Sequence, residues 1–87
     1  MSNSAHDRRD AVRTKVFEVS IITSNGNEYR AHLLDVSDDG ARAHCTHAFE
    51  VGQRIAVRRD GSDRTALVCW TQADGKLGLR YVGDKPR

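Results

Sequence analysis

The sequence predicts an all-β domain, a small six-stranded antiparallel barrel, on three observations. Apolar residues from Val16 onward recur with a period of two. Turn signals punctuate the chain every 8 to 12 residues, and no segment carries a 3.6-residue helical pattern. A chain of 87 residues is one domain at most, and it is too small to leave many strand edges bare, which favours closure into a barrel.

The elements follow in order. Phe17, Val19 and Ile21 share one face of a first strand, with Glu18 and Ser20 on the other. Asn25-Gly26 is a two-residue hairpin signal, because both positions tolerate the positive φ of a type I′ turn. The returning strand places Tyr29, Ala31 and Leu33 inward and Arg30 and His32 outward. The segment Asp35–Gly40 reads as a loop, and Ala41, Ala43 and Cys45 then share the inner face of a third strand. Residues 47–52 are irregular, with a single turn expected around Phe49. Ile55 and Val57 mark a fourth strand and Asp60-Gly61-Ser62-Asp63 a turn. A nearly continuous apolar fifth strand runs from Thr65 to Thr71, with burial expected on both faces at one point and Trp70 in the core. The last strand carries Leu77, Leu79, Tyr81 and Val82.

Composition narrows the function. Apolar residues make up 38% of the chain, and with 7 glycines this is an ordinary globular level. No apolar run nears the ~18 residues of a membrane helix and no signal-peptide core is present, so the expected location is the cytoplasm. Residues 1–15 hold Arg8, Arg9, Arg13 and Lys15 against Asp7 and Asp10, a local +2 that equals the net charge of the whole chain; the ten basic and ten acidic side chains beyond cancel. Such a local cluster suits a small anion better than a nucleic acid, which asks for a broad basic face. Arginine outnumbers lysine 11 to 3, which favours planar, bidentate contacts. Cys45 and Cys69 lie outside any CxxC and are expected as reduced, half-buried thiols. His44, Cys45 and His47 lack a fourth ligand and a zinc spacing, so no metal is expected. Nothing forms a nucleophile elbow, a P-loop or an acid/base carboxylate pair, and no enzyme activity is expected.

Two motifs carry the function. Arg9-Asp10-Ala11-Val12-Arg13 is an RxxxR with Arg8 just ahead of it, and Asp35-Val36-Ser37-Asp38-Asp39-Gly40, a DxSxxG, starts 22 residues after Arg13. Further on come Gly52-Gln53-Arg54-Ile55-Ala56-Val57, Val68-Cys69-Trp70 and Gly78-Leu79-Arg80-Tyr81. In these motifs, in this order, the chain resembles the PilZ family over residues 8–83. The resemblance implies a β-barrel, a bacterial protein and a receptor for the second messenger cyclic di-GMP, with no cofactor. It assigns Arg8, Arg9, Arg13, Asp35, Ser37 and Gly40 to the ligand, with Arg42, just beyond the loop, as a further candidate. An arginine at the position of Arg8 accompanies an intercalated pair of ligands in the family, hence two molecules per chain.

The chemistry of these residues agrees with such a ligand. A guanidinium fork matches guanine O6 and N7 or a phosphate, a carboxylate accepts from guanine N–H groups, and a serine hydroxyl donates and accepts. Asp35 and Ser37 equally suit an Asx- or ST-turn. Gly40 lets the loop turn tightly or approach the ligand. The expected organisation is a disordered N-terminus at 1–7, a binding arm at 8–15 that is mobile until an anion orders it, a barrel at 16–83 and a tail at 84–87. Many PilZ domains continue into a C-terminal helix; here little or none is expected, and Ala11 and Val12 are smaller than the residues often found between the two arginines. Output is expected through an unidentified protein partner, with no membrane insertion and no DNA or RNA. The alternatives are a degenerate PilZ-like adaptor that binds protein only and a small barrel that binds single-stranded nucleic acid.

Overall fold

A computed structural model describes residues 13–83; Arg8, Arg9 and the expected disordered ends 1–7 and 84–87 lie outside the described residues. Six antiparallel strands, β1 (Thr14–Ser24), β2 (Asn27–Val36), β3 (Gly40–Cys45), β4 (Arg54–Arg59), β5 (Ser62–Thr71) and β6 (Lys76–Tyr81), close into a barrel in the order β1-β2-β3-β6-β5-β4. The expected all-β barrel is therefore observed. Among the described residues no helix is long and apolar enough to cross a membrane.

The barrel consists of two three-stranded meanders, β1-β2-β3 and β4-β5-β6, joined by residues 46–53 and sewn along two seams. The β3–β6 seam runs from Gly40↔Arg80 to His44↔Lys76. The β1–β4 seam has only Ile21↔Arg58, Ile22↔Val57 and Thr23↔Ala56 in register. Beyond it, Glu18 takes a bidentate hydrogen bond from Arg59, at 3.0 and 3.3 Å. Arg58 pairs with Asp63 at 3.1 Å. These two arginines face acids at the surface, as their positions on polar faces suggest.

Turn chemistry determines the tight hairpins. Asn25-Gly26 and Asp60-Gly61 both hold two successive positive φ angles (52° and 81°, 54° and 79°), the requirement of a two-residue type I′ connection. The second turn is thus shorter than the sequence suggests, since Ser62 and Asp63 already belong to β5. Alternation then fills the core from Ala31, Leu33, Ala41, Ala43, Cys45, Ile55, Val57, Ala66, Val68, Leu77 and Leu79. Phe49, from the irregular segment, caps one end of this core, edge-on to Tyr29 with ring centroids 5.6 Å apart.

Strand β1 departs from its pattern. Its buried face is Ser20, Ile22 and Ser24, while Phe17 is 76% and Val19 59% exposed. The cause is a bulge: between Lys15↔Asp35 and Glu18↔Leu33, Val16 and Phe17 face the single residue Leu34, and Phe17 takes φ 50°. The bulge turns the strand, and hydrogen bonds admit the two serines: Ser20 Oγ donates to the Arg58 carbonyl and Ser24 Oγ accepts from Gln53 Nε2 at 2.6 Å. A left-handed aromatic residue costs about 1–2 kcal/mol, and asparagine adopts that conformation more readily. Phe17→Asn is therefore expected to leave the thermal midpoint unchanged or slightly raised, within about 0.5 kcal/mol, in a circular dichroism melt. A fall of several kcal/mol would return Phe17 to the core.

Three further expectations change. Cys45 is buried and Cys69 exposed, both as free thiols, rather than both half-buried. Strand β5 is buried on one face through Ala66 and Val68, and an irregularity between Val68 and Trp70 leaves Cys69 exposed. Trp70 is half-buried and lies outside the core cluster.

Candidate functional site

The DxSxxG segment is half strand and half turn. Asp35 and Val36 finish β2, Gly40 opens β3, and only Ser37–Asp39 form the connection. The Ser37 amide donates to the Gly40 carbonyl at 2.9 Å, and the Ser37 hydroxyl accepts from the Asp39 amide at 3.3 Å. The serine thus makes the ST-turn contact that fits its position. Asp35 does not take the Asx-turn role.

A second irregularity decides where Asp35 points. Leu33 pairs with Ala43 and Asp35 with Arg42, so Leu34 is an extra residue relative to β3. It shifts the phase of β2 and brings Asp35 beside Arg42 rather than into the apolar core. There the carboxylate is only 2% exposed and each oxygen has its own guanidinium. Arg13 Nη1 donates to Oδ1 at 2.8 Å; Arg42 Nε donates to Oδ2 at 2.6 Å, and its Nη2 forms an ion pair with the same oxygen at 2.5 Å. Burial pushes the Asp35 carboxyl up, but the Arg42 hydrogen bond, then that of Arg13, outweigh it and hold the group below its ordinary value. Arg42 is correspondingly raised by Asp35. The end of the RxxxR motif and the start of DxSxxG are therefore joined directly.

Gly40 has a steric task. A Cβ there would lie 1.9 Å from the Leu79 carbonyl oxygen of β6, so a bare backbone is what lets β3 and β6 meet. Close approach to β6, rather than the turn, demands this glycine.

The outer surface here is a groove of about 170 Å³ whose walls include Arg13, Gly40, Arg42, Trp70 and Arg80. Trp70 lies across from Gly78, and a Cβ on Gly78 would sit 2.2 Å from its indole nitrogen, so the ring rests on the glycine. Sequence reasoning placed Trp70 in the core and took Arg80 as a solvent-facing partner for nearby acids. The glycine directly opposite a tryptophan was the available signal, since an aromatic ring commonly covers a bare cross-strand glycine. Ser37 lines a separate cavity of about 310 Å³ on the other side of the turn, with Arg59, Arg64 and Tyr81. Arg64 lies 3.8 Å from the Tyr81 ring centroid. Of the sequence-predicted residues, Arg13, Asp35 and Arg42 are brought together, Gly40 joins them along the groove and Ser37 faces away; Arg8 and Arg9 lie outside the described residues. His44 does not gather ligands with Cys45 and His47; its Nε2 lies 2.9 Å from the Asp74 carbonyl oxygen, and no three potential metal ligands group among the described residues.

A closed antiparallel barrel thus presents three guanidinia and an indole in one external groove, beside a fixed carboxylate. The profile of the PilZ domain matches residues 7–86, nearly the whole chain, and the protein belongs to the PilZ domain family, a family of cyclic di-GMP-binding and effector domains. A sequence search of curated proteins returns no match to the chain.

Proposed function

We propose that the protein is a bacterial, cytoplasmic receptor for cyclic di-GMP without enzymatic activity, and that the ligand binds across the groove beside Asp35. The observation that carries this reading is the meeting of Arg13 and Asp35, two motif residues 22 positions apart, in one ion pair. Arg13 and Arg9 clamp phosphate and guanine edges, Arg8 adds a guanidinium for a second, intercalated ligand molecule, and Trp70 offers its ring to a base. The DxSxxG turn, held by Ser37 and Gly40, gives the clamp its fixed wall. Closing of the RxxxR segment over the barrel is the output, read by a protein partner; the exposed Phe17 and Val19 on the adjoining strand are apolar surface such a partner could cover.

Isothermal titration with cyclic di-GMP, with cyclic di-AMP and GTP as controls, tests the reading. Selective binding at micromolar or lower concentration is expected, with two ligands per chain and a change in Trp70 emission. Arg9→Ala and Arg13→Ala are expected to weaken it by roughly tenfold to a hundredfold each, as lost charge-assisted hydrogen bonds do. Absence of heat for the wild type would favour the adaptor that binds protein only.

A further inference from the structure

The two guanidinia on Asp35 are not equivalent. Arg13 precedes β1, has no ladder partner, and reaches Oδ1 with a single Nη1–H. Arg42 sits within β3, in register with Asp35 on one side and Gly78 on the other, and holds Oδ2 with its Nε–H, its Nη2 lying against the same oxygen as an ion pair. Both side chains are about half exposed, whereas the carboxylate between them is 2% exposed. A ligand that recruits Arg13 takes away one of the two counter-ions of a buried charge. We propose that Arg42 is a positioning residue that stays on Asp35 as its standing counter-ion, so that Arg13 can be transferred from Asp35 to the ligand without leaving a buried carboxylate unpaired.

The proposal rests on cyclic di-GMP binding as proposed above. The charged groups around Asp35 are Arg13 and Lys15 on the β1 side and Arg42 on β3; Asp39 of the turn and Arg80 of β6 line the groove beyond. Lys15 is in register with Asp35 but exposed, and its single ammonium lacks the fork that grips a carboxylate. Without Arg42, transfer of Arg13 strands the charge, and a stranded buried carboxylate binds a proton. Proton uptake on ligand binding is therefore the signature, and a purely structural or a directly ligand-contacting Arg42 would not produce it.

The test is calorimetric titration of the full chain with cyclic di-GMP from pH 5 to 8.5, in buffers of low and high ionisation enthalpy, for wild type, Arg42→Gln and Arg42→Lys. The wild type is expected to bind without proton uptake. Arg42→Gln is expected to bind about thirtyfold more weakly at pH 8, less than the full cost of an uncompensated buried charge because the carboxyl can bind a proton instead. It should take up close to one proton per chain, and its deficit should narrow as the pH falls, because the bound form is the one with the higher carboxyl pKa. Arg42→Lys should fall between the two. Should Arg42→Gln fail to fold, partial proton uptake by Arg42→Lys carries the test. Unchanged affinity in Arg42→Gln, or a loss equal at every pH without proton uptake, would overturn the proposal. A wild type that binds nothing would instead overturn the receptor reading, and this proposal with it.

Discussion

Gly40→Ala is expected to destabilise the domain by about 3 kcal/mol, at the upper end of overpacking effects, and to lower the thermal midpoint by about 15 °C for a domain of this size. The added methyl would lie 1.9 Å from the Leu79 carbonyl oxygen and 3.1 Å from Arg80 Cα, both backbone atoms in the ladder that seals β3 to β6. No side-chain rotation relieves that contact, so the seam itself must part. A melt followed by circular dichroism checks this. Gly26→Ala is the contrast: its Cβ would meet nothing within 4 Å, and only the cost of a positive φ applies. A Gly40→Ala protein as stable as wild type would show that β3 and β6 are not in this register.

Asp35→Asn is expected to cost about 2–3 kcal/mol at pH 7 and to abolish measurable cyclic di-GMP binding. The amide keeps the shape of the carboxylate but removes its charge and turns one acceptor oxygen into an NH2 donor that faces a guanidinium able only to donate, so one hydrogen bond is lost and the other loses its ionic partner. Arg13 loses the anchor that holds it beside the groove. The pH dependence has a definite sign. The Asp35 carboxyl sits below its ordinary value because the arginines outweigh burial. Its contribution is therefore complete above the unfolded-state value of about 4 and is lost as the pH falls through the lower folded-state value. Urea midpoints should separate wild type from Asp35→Asn fully at pH 7 and draw together as the pH falls below the unfolded-state value of about 4. A gap that does not narrow at all with falling pH would mean that the side chain acts by shape, not by charge.

Most of the barrel could be read from period-two alternation and from turn chemistry. Asn25-Gly26 and Asp60-Gly61 announce their hairpins, and the faces of β2, β3, β4 and β6 follow from alternating apolar residues. What alternation does not reveal is a change of phase. The bulge at Val16–Phe17 leaves Phe17 and Val19 outside and buries Ser20 and Ser24 beside Ile22, through hydrogen bonds that only tertiary neighbours supply. The extra residue at Leu34 is likewise invisible in a string of residues, yet it sets Asp35 against Arg42. The motif identified Arg13, Asp35 and Gly40 as important, but not why. Asp35 acts through a shared pair of guanidinia, and Gly40 through a carbonyl on a strand some forty residues away. Trp70 was misplaced because a large apolar ring ordinarily belongs in a core, and here a bare glycine on the neighbouring strand gives it a seat outside.

The division into two meanders has a kinetic meaning. Each meander is made of neighbouring strands with short connections, so its pairings are local and close quickly, whereas the β1–β4 and β3–β6 seams join distant parts of the chain and must await the loop-closure entropy between them. Arg13, Asp35 and Arg42 all lie in the first meander, so the charged triad can assemble while the ring is still open. Trp70 and Arg80 come from the second, so the complete groove exists only after closure. A molecule that touches both walls binds the closed ring and not its open precursors, and by mass action it draws the population toward closure. The ligand would then act as the last stave of the barrel.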